Sequence, residues 1–344
     1  MGKFFLKLFI TIITVATLII IYLSYFGLET DRFDNLIKNK VNSVNKNIAL
    51  EFKKTKIHLD ISELKLVIKL QNPKILVKNN EIDLSRLDTF LALKSFFSSD
   101  FLLERAEIAF EKNDIKDLIK VTNIFLPRIL NKQLNKIFSQ GTLEGEFIVP
   151  FTIEGNIDKN YGFTGKISNA LINLTKDYSI KNLTAEINNG KGIEVDGITT
   201  KIKSALFLDL ELSGTDINLK RINKETKISS LLHTNGKLNF TQIKKLSSLL
   251  GFKINFLNDV NIEADLKTDL KFNLNSKFKI QDLTYLISGD IFNLKLDTKE
   301  NSVIKKYLTS FDPNIIFKDT KIKLEKNKTN QNLEISGLIK LNKK

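Results

Sequence analysis

The sequence predicts a mainly β fold: an elongated, curved antiparallel sheet with a few short amphipathic helices, preceded by one transmembrane helix. Three observations support this prediction. An uncharged apolar segment lies near the N-terminus, and polar and apolar positions alternate between Asn261 and Ile280. Shorter stretches with the same alternation fill most of the remaining chain. Because successive side chains of a strand point to opposite faces, these stretches form sheet with one polar and one apolar face.

Leu8–Leu28 contains no charged residue and is long enough for a helix to cross about 30 Å of hydrocarbon. Lys3 and Lys7 precede this segment, so residues 1–7 are expected to form a cytoplasmic tail and everything after residue 28 is expected on the far side of the membrane. A cleaved signal peptide is the alternative. Its apolar region is usually shorter, and Ser24–Phe26 is a poor cleavage site. A transmembrane anchor at 8–28 is therefore the favoured prediction.

The composition excludes some chemistry. The 344 residues include no Cys and no Trp, so disulfides and thiol catalysis lack their residues. The formal net charge of +14 rests mainly on lysine. A solvated lysine-rich surface explains this charge better than a membrane-surface role, and binding to nucleic acid is not expected.

An amphipathic helix is predicted within residues 29–50, from about Asp31 to Leu50, because apolar residues recur at helical spacing there. Three roles remain open for this helix: covering the first sheet, lying at the membrane interface, or packing in a core. The apolar residues that define the pattern are Phe33, Ile37, Val41, Val44 and Ile48.

Two β regions are predicted beyond that helix. Residues 51–140 form an N-terminal β region, with a strand and a short helical turn within 84–101 and a helical segment at 114–138 that Pro127 should break. Residues 141–344 form a repeated β region with two short amphipathic helices, at 243–250 and 304–311. Three Asn- or Gly-containing breaks are expected to form hairpin turns: Asn188–Gly190, Asn235–Gly236 and Ser288–Asp290.

A short motif repeats within the β regions. Tyr178–Ile187 and Phe278–Ile287 share the same spacing of aromatic, Ile, Asn/Asp, Leu, Thr and Ile, and Leu59–Ile68 is a weaker third copy. Ile and Leu are three residues apart in each copy, so strict alternation cannot continue through the motif. A bulge or tight bend at the Asn, Asp or Glu would restore the phase and curve the sheet.

The residues needed for catalysis or metal binding are largely missing. His58 and His233 are the only histidines, and their positions favour surface side chains. Without Cys or a histidine pair, transition-metal sites and Ser/His or Cys/His nucleophiles lack parts. Carboxylate pairs such as Glu144/Glu146 lie two residues apart on the polar face of a strand. We therefore expect no enzyme activity, no cofactor and no metal.

The apolar sheet face must be covered by protein or by an apolar ligand. Two such faces could close into a sandwich or barrel, but long strands, bulges and interspersed helices favour an open or half-closed groove. Nine residues are the candidate lining of this groove: Leu206, Leu208, Leu210, Leu212, Ile262, Leu266, Leu270, Phe272 and Leu274.

The chain resembles the AsmA-like family. The resemblance lies in segments 57–87 (IHLDISELKLVIKLQNPKILVKNNEIDLSRL) and 162–187 (GFTGKISNALINLTKDYSIKNLTAEI), which follow a single anchor and an amphipathic helix. Members of this family, including AsmA, TamB and YhdP, are envelope proteins of Gram-negative bacteria, related in form to the repeating β-groove, bridge-like lipid-transfer proteins. The resemblance implies a single-pass inner-membrane anchor with a cytoplasmic N-terminus. It also implies a periplasmic, taco-like β-groove that binds or conducts phospholipid acyl chains towards the outer membrane.

The resemblance also defines the expected partners. These are phospholipids, the inner membrane and other envelope proteins at the C-terminal end of the chain. A role in outer-membrane protein assembly, in which a strand such as Leu333–Leu341 pairs with a client protein by β-augmentation, is the alternative function. Because the chain is shorter than the well-known members, we expect it to need a partner or to form one segment of a relay.

Overall fold

The structure is a computed structural model of the chain. It describes residues 2–44, 46–77, 80–91, 103–122, 128–154, 158, 160–189, 197–222, 225–250, 254–255, 257–275, 280–298 and 314–340. The chain divides into two compact units. Unit 1 comprises mainly Met1–Asn135 and Thr142–Lys166, and unit 2 mainly Ile167–Gly190 and Glu194–Lys344.

The expected fold class is confirmed, because the described residues are mostly antiparallel β with few helices. The helices are α1 (Gly2–Tyr25), α2 (Asp34–Val44), α3 (Ile115–Thr122), α4 (Arg128–Ile137) and α5 (Phe240–Leu250). The strands are β1 (Leu28–Thr30), β2 (Ile48–Glu51), β3 (Lys54–Asp60), β4 (Lys65–Gln71), β5 (Lys74–Val77), β6 (Asn80–Leu91), β7 (Leu103–Asp114), β8 (Phe138–Pro150), β9 (Gly162–Asn173), β10 (Ser179–Asn189), β11 (Gly197–Phe207), β12 (Leu210–Ile222), β13 (Glu225–Leu238), β14 (Leu257–Leu274), β15 (Ile280–Thr298), β16 (Asn314–Lys326) and β17 (Gln331–Lys340). The predicted division between residues 140 and 141 falls inside β8, whereas the two units divide inside β9.

Helix α1 is long and apolar enough to cross a membrane. Its segment Phe4–Tyr25 has a mean hydropathy of 2.6, and none of its most apolar stretch is buried by the protein. Tyr22 and Phe26 stack at its C-terminal end with ring centroids 5.6 Å apart, and Tyr25 is 78% exposed. Exposed aromatic rings at the end of an apolar helix are typical of a membrane–water interface.

The end of α1 packs against the imidazole of His58 on β3. Gly27 ends the helix in a left-handed conformation (φ +70°), and a Cβ at this position would lie only 2.7 Å from His58 Nε2. Burial lowers the pKa of His58, and the positive charge of Lys69 lowers it further, while a hydrogen bond to the Ser24 backbone opposes both. The predicted surface histidine is therefore half-buried at the junction between α1 and the sheet.

Unit 1 has a packed core. Strands β3, β4, β6, β7 and β8 pair antiparallel in succession, β1 pairs with β3, and β5 pairs with both β2 and β6. Three apolar residues at helical spacing, Phe33, Ile37 and Val41, pack against this core. The Thr55 hydroxyl donates to Asp34 Oδ1 at 2.6 Å, which holds the first residue of α2. Three roles were considered for this helix: covering the first sheet, lying at the membrane interface, or packing in a core. The contacts show that α2 covers the sheet of unit 1.

Helix α2 is shorter than predicted. It ends at Val44, and Ile48–Glu51 is instead strand β2, paired with β5. The step of four residues from Val44 to Ile48 fits a helix, but Ile48 and Leu50 also fit the two-residue period of a strand. Both side chains are buried in the core, so tertiary packing selects the strand.

The helical segment predicted at 114–138 is confirmed as two helices, α3 and α4, on either side of residues 123–127. The short helix predicted at 243–250 is confirmed within α5. Pro127 and the helix predicted at 304–311 lie outside the described residues. The same is true of Gly190, the last residue of a predicted turn, and of Leu341, the last residue of the predicted C-terminal strand. The strand predicted within 84–101 is confirmed as part of β6, and residues 92–101 are not described.

Unit 2 is an open, curved antiparallel sheet in which strands β10 to β17 pair in order. The bulge predicted in the repeat is confirmed in two copies. Asn182 and Asp282 have φ of +52° and +53°, and each lies at a register shift. Gly214 and Asp319 make equivalent bulges in β12 and β16. A bulge adds one residue to a strand and bends it, so these four positions contribute to the curvature.

A buried threonine follows two of these bulges. Thr215 and Thr320 are 0% and 1% exposed. Their hydroxyls donate to the carbonyl oxygens of Ser213 (3.3 Å) and Lys318 (3.2 Å), the residues just before each bulge. Each threonine therefore satisfies a carbonyl group next to the interrupted ladder.

The third repeat copy is not a bulge. Residues 61–64 form the turn between β3 and β4, in which Asp60 Oδ1 accepts hydrogen bonds from the backbone N–H groups of Ser62 and Glu63. An aspartate that binds backbone groups two and three residues ahead favours a turn, which explains why the similar spacing gave a different structure.

Two predicted hairpin turns are wrong. Asn235–Gly236 lies inside β13, and Ser288–Asp290 lies inside β15. Gly289 is required there for close approach, because a Cβ would lie 2.0 Å from the Asp265 carbonyl oxygen of the neighbouring strand. Glycine within a strand commonly marks such an approach. The sequence therefore indicated correctly that the backbone needs glycine at these two positions, but the glycines lie within strands and not in turns.

The bulge at Asn182 can be tested by substitution, because the Asn182 side chain is exposed. We expect Asn182→Val to lower the free energy of unfolding by about 1–2 kcal/mol, since a side chain with a branched Cβ is strained in the left-handed region. Asn182→Gly should be close to neutral. Denaturant unfolding of the full chain in mild detergent gives the comparison, and equal stability of the two variants would contradict the bulge.

The junction at His58 predicts a dependence of stability on pH. Because the pKa of His58 is lower in the folded chain than the ordinary value of 6.5, the unfolded chain binds more protons in this range. Stability should therefore fall as the pH is lowered through about 6.5, towards the folded pKa. Melting temperatures recorded between neutral and mildly acidic pH should fall less in His58→Gln than in the original chain. If the melting temperature depends on pH equally in the two chains, the pKa of His58 is the same in the folded and the unfolded chain and the prediction is wrong.

Candidate functional site: the apolar face of unit 2

Strand pairing places the apolar residues of unit 2 on one face of its sheet. Residues directly opposite each other in antiparallel strands share a face, so the register defines the face in rows. We call this surface the apolar face. Its central rows are Leu219–Ile228–Phe272, Ile217–Ser230–Leu270–Tyr285–Lys326–Gln331, Leu232–Thr268–Ile287–Leu324–Leu333 and Leu212–Thr234–Leu266–Gly289–Ile322–Ile335.

Strand β14 carries five of the nine predicted lining residues. They alternate with polar residues along the strand and belong to the apolar face: Ile262, Leu266, Leu270, Phe272 and Leu274. All five are half-buried. Leu210 and Leu212 of β12 also belong to this face and are buried, at 6% and 7% exposure. These seven residues thus share one face, as the alternation predicts, and their role as the lining of a groove stays a prediction.

The remaining two candidates are misplaced. Residues 206–212 were expected to form one strand, but the chain reverses at Leu208 and Asp209, which have φ of +51° and +64°. Two successive residues with positive φ form the tight hairpin turn that suits twisted strands. Leu208 is therefore a turn residue. Leu206 pairs with Lys181 and Glu211, so it lies on the polar face.

One end of the apolar face is covered by α5. The side chains of Phe240 and Ile243 pack against a cluster formed by β14 and β15, and the most buried members of this cluster are Val260, Ile291 and Leu294, at 1–3% exposure. We call this part the covered end. The helix was predicted from the spacing of its apolar residues. The surface that it covers was not, because a local sequence pattern does not show which distant strands a helix packs against.

The other end of the face is not covered to this degree. We call it the open half, and six of its apolar residues are half-buried or exposed: Leu270, Phe272 and Leu274 on β14, Ile228 on β13, Ile287 on β15, and Leu333 on β17. Two other residues of the same rows, Tyr285 and Leu324, are buried, at 4% and 7% exposure. Leu333 and its neighbour Ile335 are 54% and 46% exposed. Contiguous exposed apolar surface on a soluble protein usually marks a binding surface. The open half is therefore the candidate functional site.

Polar groups are few in the central rows of the apolar face, and Lys326, opposite Tyr285, is the one charged residue in these rows. The Ser230 hydroxyl is buried between Ile217 and Leu270, and it has no hydrogen-bond partner among the described residues. Burial raises the pKa of Tyr285, while its hydroxyl accepts a hydrogen bond from Gln331 Nε2, which lowers that pKa. An apolar surface with a few hydroxyl groups suits a ligand that is mostly hydrocarbon.

The opposite face is polar and solvated. Lys271 and Asp269 form an ion pair at 3.0 Å, and His233 Nε2 lies 2.6 Å from Asp265 Oδ1. Such exposed pairs contribute about 0–1 kcal/mol each. A cavity of about 350 Å³ on this face is lined mainly by polar groups, including Ser288, Asp290, Lys321, Lys323, Glu334 and Ser336. No group of three or more His, Asp and Glu side chains suited to a metal occurs among the described residues.

Comparison with known proteins does not identify the chain. No family model, no curated protein and no solved structure matches it. The resemblance to the AsmA-like family therefore stays a prediction based on the sequence pattern.

Proposed function

We propose that the chain is a membrane-anchored, non-enzymatic member of the AsmA-like family that handles lipids. In this proposal, the open half of the apolar face binds phospholipid acyl chains and passes them towards the outer membrane, which serves lipid homeostasis of the cell envelope. One observation carries the proposal: much of the regular apolar sheet face of unit 2 is left half-exposed away from α5, whereas the end under α5 is sealed.

The dimensions of the open half support an acyl chain as its ligand. Thr268–Leu274 covers six residue steps of β14, or about 20 Å at roughly 3.4 Å per residue. Half of the hydrocarbon core of a bilayer is about 15 Å thick. The uncovered length of one strand can therefore accommodate one lipid tail, and β14 itself contributes no charged side chain to the central rows.

Helix α1 supports the membrane part of the proposal. An apolar helix with exposed aromatic rings at its C-terminal end can hold the protein next to a source of lipid. With Lys3 and Lys7 at the cytoplasmic side, the rest of the chain would lie in the periplasm and the anchor in the inner membrane.

Replacement of Leu270 by aspartate tests this function. The substitution places a charge at the centre of the open half, where Leu270 pairs with Ser230 and Tyr285. Because Leu270 is half-exposed, we expect Leu270→Asp to fold, with several-fold less bound lipid than the original chain. The measurement is mass spectrometry of lipids extracted from the full chain purified in mild detergent, together with a thermal melt.

Leu338→Asp is the matched control. Leu338 is 69% exposed on the polar face of the same unit, beside Lys318, so this variant should keep its lipid. If the original chain carries no acyl lipid, or if both variants lose it equally, the proposal is wrong. Unfolding of Leu270→Asp alone would indicate a sealed core in place of an open face.

Assembly of outer-membrane proteins by β-augmentation is the second candidate function. Strand β17 pairs with β16 on one side, and no described register joins its other side to another strand. An apolar edge strand of this length can template pairing with another chain. Under this alternative, deletion of β17 would abolish function, whereas Leu270→Asp would have little effect.

A further inference from the structure

Helix α5 is fixed at its N-terminal end to the turn that joins β11 and β12. Asn239 and Gln242 bond reciprocally: Gln242 N donates to Asn239 Oδ1 at 3.1 Å, and Asn239 N donates to Gln242 Oε1 at 2.8 Å. This capping box starts the helix. Gln242 Nε2 also donates to Asp209 Oδ2 at 2.7 Å. The same glutamine thus begins the helix and ties it to the β11–β12 turn.

A second tether holds the middle of α5. The Tyr178 hydroxyl, one residue before β10, donates to the Lys245 carbonyl oxygen at 2.9 Å. Phe240 and Ile243, in the first turn of the helix, pack against the β14–β15 cluster. The contacts of α5 therefore reach from the strands at β14 to the start of β10, across the end of the apolar face.

We propose that α5 is a stop that closes the acyl-binding surface at this end. A bound acyl chain lies on the open half and is excluded from the covered end, where Val260 and Leu294 are almost fully buried. This inference rests on the proposed function and specifies where within the apolar face the ligand lies. The ligand class is the acyl chain of a phospholipid, because the face offers aliphatic side chains and the length fits one tail.

The two tethers contribute less to holding α5 in place than its apolar packing does. Both are hydrogen bonds between exposed groups, which contribute little net stability because water competes for the same donors and acceptors. The packing of Phe240 and Ile243 is the larger contribution. Removal of both tethers should therefore loosen the helix without unfolding the sheet.

The natural absence of tryptophan allows a direct test. Two matched variants each introduce one fluorophore at a half-buried phenylalanine. Phe272→Trp lies in the open half, and Phe240→Trp lies on the side of α5 that packs against the covered end. The full chain in detergent is mixed with phosphatidylcholine whose acyl chains carry bromine, which quenches indole fluorescence on contact. We expect Phe272→Trp to lose most of its fluorescence and Phe240→Trp to keep it.

A second pair of variants removes the tethers. Gln242→Ala combined with Tyr178→Phe in the Phe240→Trp chain should make that fluorophore accessible to the quencher. Asn273→Ala, which removes an exposed hydrogen bond to Asp282 on the polar face, is the control and should change nothing. If Phe240→Trp lowers the melting temperature, Ile243→Trp, which packs against the same cluster, replaces it.

The outcomes separate this inference from the proposed function. Strong quenching at both positions with the tethers intact overturns the stop but leaves lipid binding in place. Quenching at neither position overturns lipid binding on this face and the stop with it. Unchanged protection of position 240 after both tethers are removed shows that they do not hold the stop.

Discussion

The apolar face of unit 2 depends on one constraint: eight strands must keep their alternating side chains in phase. A slip of one residue would move every apolar side chain of a strand to the polar face. The chain meets this constraint with bulges at residues of positive φ such as Asn182 and Asp319. Each bulge accommodates one extra residue in its strand at the point where the register shifts. Because a bulge also bends its strand, the device that preserves the phase contributes to the curvature. Where Thr215 and Thr320 follow a bulge, their buried hydroxyls satisfy the carbonyl group that precedes it.

The two units show that alternation alone does not determine whether an apolar face is sealed. In unit 1 the residues Leu66, Ile68 and Leu70 of β4 are buried, because α2 and other elements pack over them. In unit 2 the equivalent pattern on β14 is sealed only where α5 packs, and Leu270 and Phe272 stay half-exposed. The difference lies in which covering elements are available. This uncovered apolar surface, in a chain that also carries an apolar N-terminal helix, is the basis for the lipid ligand that we propose.

Much of this arrangement could be predicted from the sequence, since the signals were local. Alternation placed the β14 residues on one face, and the repeat located the bulges at Asn182 and Asp282. The failures have physical causes. The turn at Leu208–Asp209 contains no glycine, asparagine or proline, so nothing interrupted the apparent strand. Gly289 looked like a turn residue because close strand approach and tight turns both favour glycine. The extent of the site could not be predicted, because the packing of α5 on Val260 is a long-range contact.

The central claim is that lipid, and not protein, covers the open half in the cell. The most direct measurement places a photoreactive amino acid at position 270 or, on the polar face, at position 338, and irradiates cells that produce each chain. Mass spectrometry then identifies what is attached to the purified protein. The account predicts adducts with the mass of an acyl lipid at position 270 and none at position 338. Protein adducts at position 270, or equal lipid labelling at both positions, would contradict it.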